Sequence, residues 1–222
     1  PKSSFSFREA MDEGKILLFN LSDGILGQEN SQLMGQLVVS KFQQALMSRA
    51  SIPKKQRRSF TLYIDEFQTF TQAASESYEK ILSRARKYKM VLVLAHQQTK
   101  QIPDHLLREI LGNVGTIISF NVSQSDAQKI SKEFIDENIF GEITKLEPEE
   151  LLTLETGEAF CKIGKNFFKM KTYLAEQHPD FDRAEQVIES SKRNYGIKPV
   201  SEIFRQKVKT YSQQIQEEGY FE

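Results

Sequence analysis

Two adjacent carboxylates, Asp65 and Glu66, follow the apolar and β-prone run Phe60–Ile64. Such a run predicts a buried strand of a parallel sheet, whose last residues emerge at the carboxyl edge where open α/β sheets bind their ligands. Two acids at this edge are costly unless a cation lies beside them, and the cation we expect is Mg²⁺ with a nucleotide. Asp65 would hold the metal or its water, and Glu66 would orient or deprotonate the attacking water. Alternatively, the pair leaves the strand into solvent and starts a turn.

A glutamine, Gln97, follows the next predicted strand, which spans residues 90–95. Because the carboxyl ends of parallel strands meet at one edge of a sheet, we expect Gln97 to lie beside the two acids. A glutamine side chain both donates and accepts hydrogen bonds, so it suits a sensor that bridges the terminal phosphate and the attacking water without adding charge. Taken alone, Gln97 would be an ordinary loop amide. Together with Asp65 and Glu66 it favours a Walker B acid pair and its sensor.

Strands and helices alternate along the part of the chain that must position these residues. Four runs of strand length are predicted at residues 15–21, 60–64, 90–95 and 115–120. Amphipathic spacing predicts helices at residues 30–49, 78–89, 103–113 and 127–134. Asn30 or Ser31 is placed to cap the first helix. This alternation predicts an α/β fold with right-handed crossovers and a parallel sheet.

The pattern changes after residue 147. A short helix is predicted to begin at Pro148, and residues 157–163 and 167–173 predict a β-hairpin that could add edge strands. From Asp180 onward the chain is helical and charged, with two apolar stripes that would dock on the parent domain, a partner or a neighbouring subunit. The stripes consist of Phe181, Ala184, Val187 and Ile188, and of Val200, Phe204, Val208, Tyr211 and Ile215.

Composition sets the limits on partners and compartment. Thirty basic residues balance 30 acidic ones among 222, so nucleic acid would have to bind a local patch rather than a global positive field. The basic loop at residues 51–59 is more simply a solvated connector than a DNA contact. The single cysteine, Cys161, fits a reducing cytosol, and no apolar run approaches the ~20 residues of a membrane span.

The order of these motifs resembles the conjugative coupling ATPases of the TraD/TraG kind, which are related to the FtsK/HerA DNA-pumping motors and to secretion-motor ATPases. The resemblance covers roughly residues 16–171, and a tail at 190–196 is also similar to some members. It is carried by the tracts at residues 16–49, 62–67, 83–88, 93–98 and 112–120.

The resemblance implies a RecA-like P-loop NTPase core with a mostly parallel sheet, a β-hairpin and C-terminal helices. It also implies a hexameric ring that hydrolyses ATP with Mg²⁺ between subunits to move DNA or a secretion substrate. By position, Asp65 matches the magnesium-linked acid, Glu66 the catalytic acid and Gln97 the sensor. Arg86 best matches an arginine that acts across the subunit boundary, with Arg84 as a rival; either could instead be a solvated residue at a basic helix end.

Two departures qualify the resemblance. No Gly-x-x-x-x-Gly-Lys-Ser/Thr sequence, the Walker A phosphate loop, occurs in the 222 residues. Because the chain begins at Pro1 without a methionine, we expect it to be a piece of a longer protein whose P-loop lies upstream, and we expect the fragment alone to be inactive. The second departure is Asn121, where relatives often carry an arginine; this puts a trans-acting role for that position in doubt.

These observations lead to two hypotheses. In the first, residues 1–175 are the C-terminal portion of a RecA-like ATPase domain and residues 176–222 a helical extension. The parent would be a cytoplasmic motor, at the cytoplasmic face of the inner membrane, with DNA, its own copies and secretion or relaxosome proteins as partners. In the second, the chain is a non-catalytic DNA- or protein-interaction module that keeps the ATPase fold. A helicase of another superfamily is disfavoured because the acid pair lacks the further residues of those motifs.

Overall fold

The computed structural model describes residues 5–71, 74–137, 143–174 and 181–196. The chain divides into two compact units, one of residues 7–175 and one of residues 1–6 with 176–222. The helices of the first unit are α1 (Phe7–Glu13), α2 (Asp23–Leu26), α3 (Gln28–Ser48), α4 (Ser75–Arg84), α5 (Asp104–Asn113), α6 (Gln124–Ile130) and α7 (Pro148–Leu152). Its strands are β1 (Phe60–Ile64), β2 (Met90–Leu94), β3 (Thr116–Ser119), β4 (Ile135–Glu137), β5 (Ile143–Lys145), β6 (Glu158–Ile163) and β7 (Asn166–Lys171). In the second unit, the described residues contain α8 (Phe181–Tyr195).

The strands pair in three groups. β1 and β2 are parallel, with Phe60 opposite Met90 and Ile64 opposite Leu94. β3, β6 and β7 form an antiparallel sheet in which β6 and β7 are the predicted hairpin. β4 and β5 form an antiparallel pair that was not predicted from the sequence. The alternating α/β order is confirmed, and β1–β2 is the parallel pair within the described part of the chain.

Two apolar cores support this arrangement. The larger one lies between α3, α4, α5 and the inner face of the β1–β2 pair, and its fully buried members include Phe42, Leu46, Phe67, Tyr78, Ile81 and Leu106. The smaller one joins α6 and α7 to the antiparallel sheet, and it contains Ala127, Phe134, Leu146, Leu151, Leu154 and Phe160. Side chains on the outer face of the β1–β2 pair are exposed, including Tyr63, Val91 and Val93.

The predicted strand at residues 15–21 is wrong, because this segment has no regular secondary structure. Ile16 and Leu18 are 88% and 83% exposed. A cavity of about 1130 Å³ is lined by this segment on one side and by β1 on the other. Among the described residues no strand pairs with the segment, so its backbone lacks the ladder of hydrogen bonds that defines a strand.

Helix boundaries differ from the prediction at several ends. α3 begins at Gln28 after Gly27, which has φ 77°, so Asn30 and Ser31 lie inside the first turn and are not its caps. α4 ends at Arg84, five residues before the predicted end, and residues 85–89 form a turn. α5 and α7 match their predictions, and α6 ends at Ile130 before a short 3₁₀ turn.

The first apolar stripe of the C-terminal region lies on α8, where Phe181, Val187 and Ile188 are exposed. The second stripe, at residues 200–215, lies outside the described residues. Where the chain is described, it has no helix that is both long enough and apolar enough to span a bilayer.

Candidate functional site

Glu66 and Gln97 meet at the carboxyl edge of the parallel pair. The ladder continues past the strands, because Ala95 N donates to Ile64 O at 3.0 Å and Phe67 N donates to Ala95 O at 3.1 Å. This register places the two side chains side by side, and Gln97 Nε2 donates to Glu66 Oε1 at 2.5 Å. The other carboxylate oxygen, Oε2, accepts from Gln68 Nε2. Two neutral amides therefore orient the Glu66 carboxylate without neutralising its charge.

The backbone turns sharply at Glu66. Its φ of 48° and ψ of 41° lie in the left-handed region, which is uncommon for a residue with a side chain. A short 3₁₀ helix, Phe67–Phe70, follows and buries Phe67 in the larger core. The turn therefore anchors the chain on one side of Glu66 and points its carboxylate along the sheet edge. Unusual backbone angles of this kind cluster at functional sites.

Asp65 lies one residue earlier and is exposed. Its Oδ1 accepts a hydrogen bond of 3.0 Å from Glu66 N, and it lines the same cavity as Glu66. Within the described residues no group of three or more His, Cys, Asp or Glu side chains could hold a metal ion. Mg²⁺, however, is commonly bound by one or two carboxylates with water and substrate phosphates supplying the other ligands. The exposed oxygens of Asp65 fit that mode of binding.

A second group of residues holds the loop that carries Gln97. Asp126 is 3% exposed, and its Oδ1 accepts hydrogen bonds from both the backbone nitrogen, at 3.3 Å, and the hydroxyl of Thr99. Its Oδ2 accepts from Ser123 Oγ at 3.0 Å. Asp126 was not among the predicted site residues; the signal in the sequence was the spacing of Ser123 and Asp126 at the start of α6, which is typical of a helix cap. The bonds from Thr99 join the loop after β2 to α6.

His96 packs beneath the site. Its ring meets that of Phe67 edge to face at a centroid distance of 5.4 Å. Burial lowers the pKa of His96, and the charges of Asp126 and Glu66 oppose this shift without reversing it. His96 is therefore neutral near pH 7. Its Nδ1 is buried, and none of the described residues offers it a hydrogen-bond partner.

Arg86 does not join Glu66 and Gln97. Arg86 precedes β2 and Gln97 follows β2, so the two residues lie at opposite edges of the sheet, at the amino and the carboxyl ends of the strands. The five strand residues alone separate these edges by roughly 13 Å, at about 3.3 Å per residue. Arg86 is exposed, and no described residue makes a side-chain hydrogen bond or ion pair with it. Its rival Arg84 is directed at its own subunit, because Nη1 lies 3.8 Å from Met47 Sδ on α3.

The basic loop differs from the solvated connector that was predicted. Lys54 and Lys55 are exposed as expected, but Arg57 is only 8% exposed. Its guanidinium donates to backbone carbonyls, including Lys87 O at 2.7 Å, which compensates its burial. Asn121 also has a structural role, since Nδ2 donates to Leu152 O at 2.9 Å and to Leu154 O at 3.1 Å.

Comparison with known proteins is decisive for the central part of the chain. Residues 59–141 match the family model described as the TraM recognition site of TraD and TraG. These residues form a TraD/TraG-type coupling-protein domain. The match covers β1 to β4 and therefore includes the candidate site residues of the TraD/TraG-type domain. No curated protein sequence matches the chain.

Solved structures of the conjugative coupling protein TrwB share the fold. The unbound form of TrwBΔN70 superposes with a TM-score of 0.59 at 16% identity, over 79% of this chain and 45% of that one. TrwB in complex with ADP and Mg²⁺ gives 0.59 at 18%, and its complex with the ATP analogue ADPNP gives 0.54 at 17%, with the same coverage. The chain thus spans less than half the length of these structures. Its predicted α/β fold class is confirmed, and the fold is the one found in TrwB.

Proposed function

We propose that this chain is the Walker B and sensor part of an ATP-driven motor that translocates DNA, or another secretion substrate, in conjugation and type IV secretion. The observation that carries the proposal is the hydrogen bond between Gln97 and Glu66, at the sheet edge where Asp65 is also exposed. A carboxylate held by neutral donors keeps its charge and stays able to accept a proton. In this proposal Glu66 and Gln97 are catalytic residues.

Each residue has one task in the proposed reaction. Asp65 would bind Mg²⁺ or its water, and the ion would supply the charge that offsets the phosphates of ATP. Glu66 would take the proton of the attacking water or orient it. Gln97 would hold Glu66 through its amide nitrogen while its oxygen stays available to the water. Arg86 would reach the nucleotide of the neighbouring subunit in a ring, because it lies at the far edge from its own Glu66.

The outer face of the β1–β2 pair supports a longer parent protein. Parallel sheets are normally covered on both faces, yet Tyr63, Val91 and Val93 are exposed here. The TrwB structures extend over more than twice the length that this chain matches. We therefore assign to the parent an upstream segment that carries the phosphate loop and packs on this face. Residues 1–175 would then complete one ATPase domain, and residues 176–222 would extend it.

Partners and location follow from the same assignment. DNA would be the translocated substrate, the ring would consist of copies of the parent, and relaxosome proteins would dock on the surface. The family description, which names TraM recognition, supports the last of these. The parent would work in the cytoplasm, at the inner face of the inner membrane.

A second candidate function is a non-catalytic interaction module that retains the fold. It is favoured by the same family description and by the absence of a Walker A sequence in the 222 residues. In this case the surface would recognise relaxosome proteins or DNA, and Glu66 would serve only the local structure.

DNA-stimulated ATP hydrolysis separates the two candidates. It should be measured for the full-length parent, for its Glu66→Gln variant and for this chain alone, with Glu76→Gln as a control in an exposed helical position. The motor proposal expects activity in the parent, loss by about 10²-fold or more in Glu66→Gln with ATP still bound, and none in the chain alone. An inactive parent, or an active Glu66→Gln variant, would favour the interaction module.

A further inference from the structure

We propose that two buried arginines, Arg57 and Arg49, are positioning residues that fix the backbone of the Arg86 turn for action on a neighbouring subunit. The turn consists of residues 85–89 and connects α4 to β2. The inference rests on the proposed function, because it concerns how Arg86 is presented. It adds two residues to which neither the sequence pattern nor the comparisons assign a role.

The side chain of Arg57 connects the basic loop to the turn through hydrogen bonds to backbone carbonyls of both. Its Nε donates to Arg49 O at 3.1 Å and to Ile52 O at 2.9 Å, while Nη1 donates to Lys87 O at 2.7 Å. The guanidinium carbon also lies 4.9 Å from the centroid of the Tyr88 ring. Arg57 therefore holds Lys87, the residue after Arg86, by a hydrogen bond to its carbonyl. It also holds Tyr88 by a cation–π contact with the ring.

Arg49, at the end of α3, holds the next peptide of the same turn. It is fully buried, and its Nη1 donates to Tyr88 O at 2.9 Å. Its Nη2 donates to Arg58 O at 2.6 Å, and Asp12 on α1 compensates its charge through Nε at 2.8 Å. The turn is thus tied to α1, α3 and the start of β1 by one buried side chain.

The backbone conformation of the turn is itself constrained. Met90 N donates to Ala85 O at 2.9 Å, and Lys89 has a left-handed φ of 54° just before β2 begins. Arg86 and Lys87 are the exposed residues of this closed loop, so holding carbonyls 87 and 88 fixes the backbone next to Arg86 while its side chain remains free to extend. A displacement of about 1 Å in a catalytic group can cost on the order of 10² in rate. Fixing the backbone in advance avoids that loss.

Arginine is required for this geometry because a lysine cannot reproduce it. The guanidinium is planar and rigid and carries five N–H donors, which lets Arg57 serve three carbonyls in different directions. A lysine would keep the positive charge but have a single compact head group. Arg57→Lys therefore loosens the turn while preserving charge, and Arg58→Lys is the matched control, since Arg58 is exposed and its Nη1 donates to Glu13 O, away from the turn.

The test uses mixed rings of the full-length parent. One subunit carries Arg86→Ala, which leaves its own Glu66 intact, and the other carries Glu66→Gln, which leaves Arg86 intact. Each variant alone should be inactive, whereas mixing creates interfaces that pair an intact Glu66 with an intact Arg86 and so restores ATP hydrolysis. Adding Arg57→Lys to the Glu66→Gln subunit should lower the restored kcat by about 10- to 100-fold, with KM for ATP unchanged.

The outcomes separate the two levels of the proposal. If the first mixture restores nothing, the assignment of Arg86 as a trans-acting residue fails. If it restores activity and Arg57→Lys leaves that activity at the level of the Arg58→Lys control, the positioning role is refuted. Should Arg57→Lys fail to assemble, Tyr88→Leu in the same subunit replaces it, because this change removes the ring under the guanidinium and keeps every donor. A restored kcat that is unaffected by Tyr88→Leu would likewise refute the role.

Discussion

Gln97 donates a 2.5 Å hydrogen bond to Glu66 across the parallel strand pair, joining residues that are 31 positions apart in the sequence. The bond exists because both side chains leave the carboxyl end of their strands in the same register. Gln68 holds the second oxygen of Glu66, so the carboxylate has two fixed neighbours. The orientation of Glu66 is thus a property of the sheet edge and not of the acid alone.

Gln97→Ala should remove the donor that orients Glu66 from the next strand. We expect kcat for ATP hydrolysis by the full-length parent to fall on the order of 10²-fold, with little change in KM, because the acid would lose its alignment without losing its charge. Steady-state kinetics measure both constants. Gln101→Ala, in the same loop but away from Glu66, is the control. Equal activities in the two variants would contradict a sensor role for Gln97.

Val93 lies on the exposed outer face of the β1–β2 pair and Leu92 on the inner face, so lysine substitutions at these two positions can be compared to test whether the outer face is covered in the parent. In the 222-residue chain, Val93→Lys should change the free energy of unfolding by no more than about 0.5 kcal/mol, because the side chain is already exposed. In the full-length parent the same change should cost about 2 kcal/mol or more if an upstream segment covers this face. Urea denaturation of both proteins measures the difference.

Leu92→Lys serves as the reference for Val93→Lys, since Leu92 packs against the larger core and should destabilise both proteins when charged. If Val93→Lys is equally harmless in the parent, the outer face is not covered there. The proposed position of the phosphate-loop segment would then be wrong.

Gly35, in the middle of α3, should not tolerate alanine. Glycine to alanine in a helix usually gains up to about 1 kcal/mol, but here a Cβ would overlap the ring of Phe70. We expect Gly35→Ala to lower the free energy of unfolding by about 1–3 kcal/mol, and Phe70→Leu to relieve part of that loss. Gly112→Ala on α5 is the matched control, because an added Cβ there would meet no atom within 4 Å apart from its chain neighbours and its own helix backbone. A stabilised Gly35→Ala variant would refute the contact.

The stability of the protein should depend on His96 at mildly acidic pH. Burial lowers the pKa of His96 below 6.5, so the unfolded chain binds the proton more tightly than the folded one. The contribution of His96 is therefore present above about pH 6.5, and it is lost as the pH falls through the lowered value.

We expect the free energy of unfolding to decline between pH 7 and 5 more steeply in the natural protein than in His96→Asn. Urea titrations at several pH values measure the two slopes. Because the acidic side chains of Asp126 and Glu66 also act on His96, the difference between the slopes, and not either slope alone, is the test. Identical slopes would show that His96 binds no fewer protons when folded.

Sequence reasoning succeeded where a run of apolar residues ends in polar ones. Phe60–Ile64 and Met90–Leu94 are strands as predicted, and their ends bring Glu66 and Gln97 together, because the strand period and the parallel arrangement determine both the pairing and the shared edge. Whether these residues catalyse hydrolysis stays a prediction. The same reasoning failed for residues 15–21, since an apolar run becomes a strand only when another strand pairs with it.

Long-range polar contacts could not be predicted from the sequence. Arg57 looks like its neighbours Lys54 and Lys55, yet it is buried, and the carbonyl of Lys87, 30 positions away, accepts one of its hydrogen bonds. Asp126 likewise looks like a surface acid at a helix start, and its partner Thr99 is 27 positions distant. Local composition gives the charge of such residues, whereas their burial depends on which backbone groups the fold brings to them.

The left-handed backbone of Glu66 lowers the stability of the fold at a position whose side chain serves the proposed chemistry. A non-glycine residue in that region costs roughly 1–2 kcal/mol, a cost that glycine would not incur. Glu66→Gly should accordingly yield a more stable protein that has lost the carboxylate of the proposed site. Selection for thermal stability alone would favour glycine at position 66. A glutamate that persists there in a heat-tolerant descendant would therefore indicate retained activity.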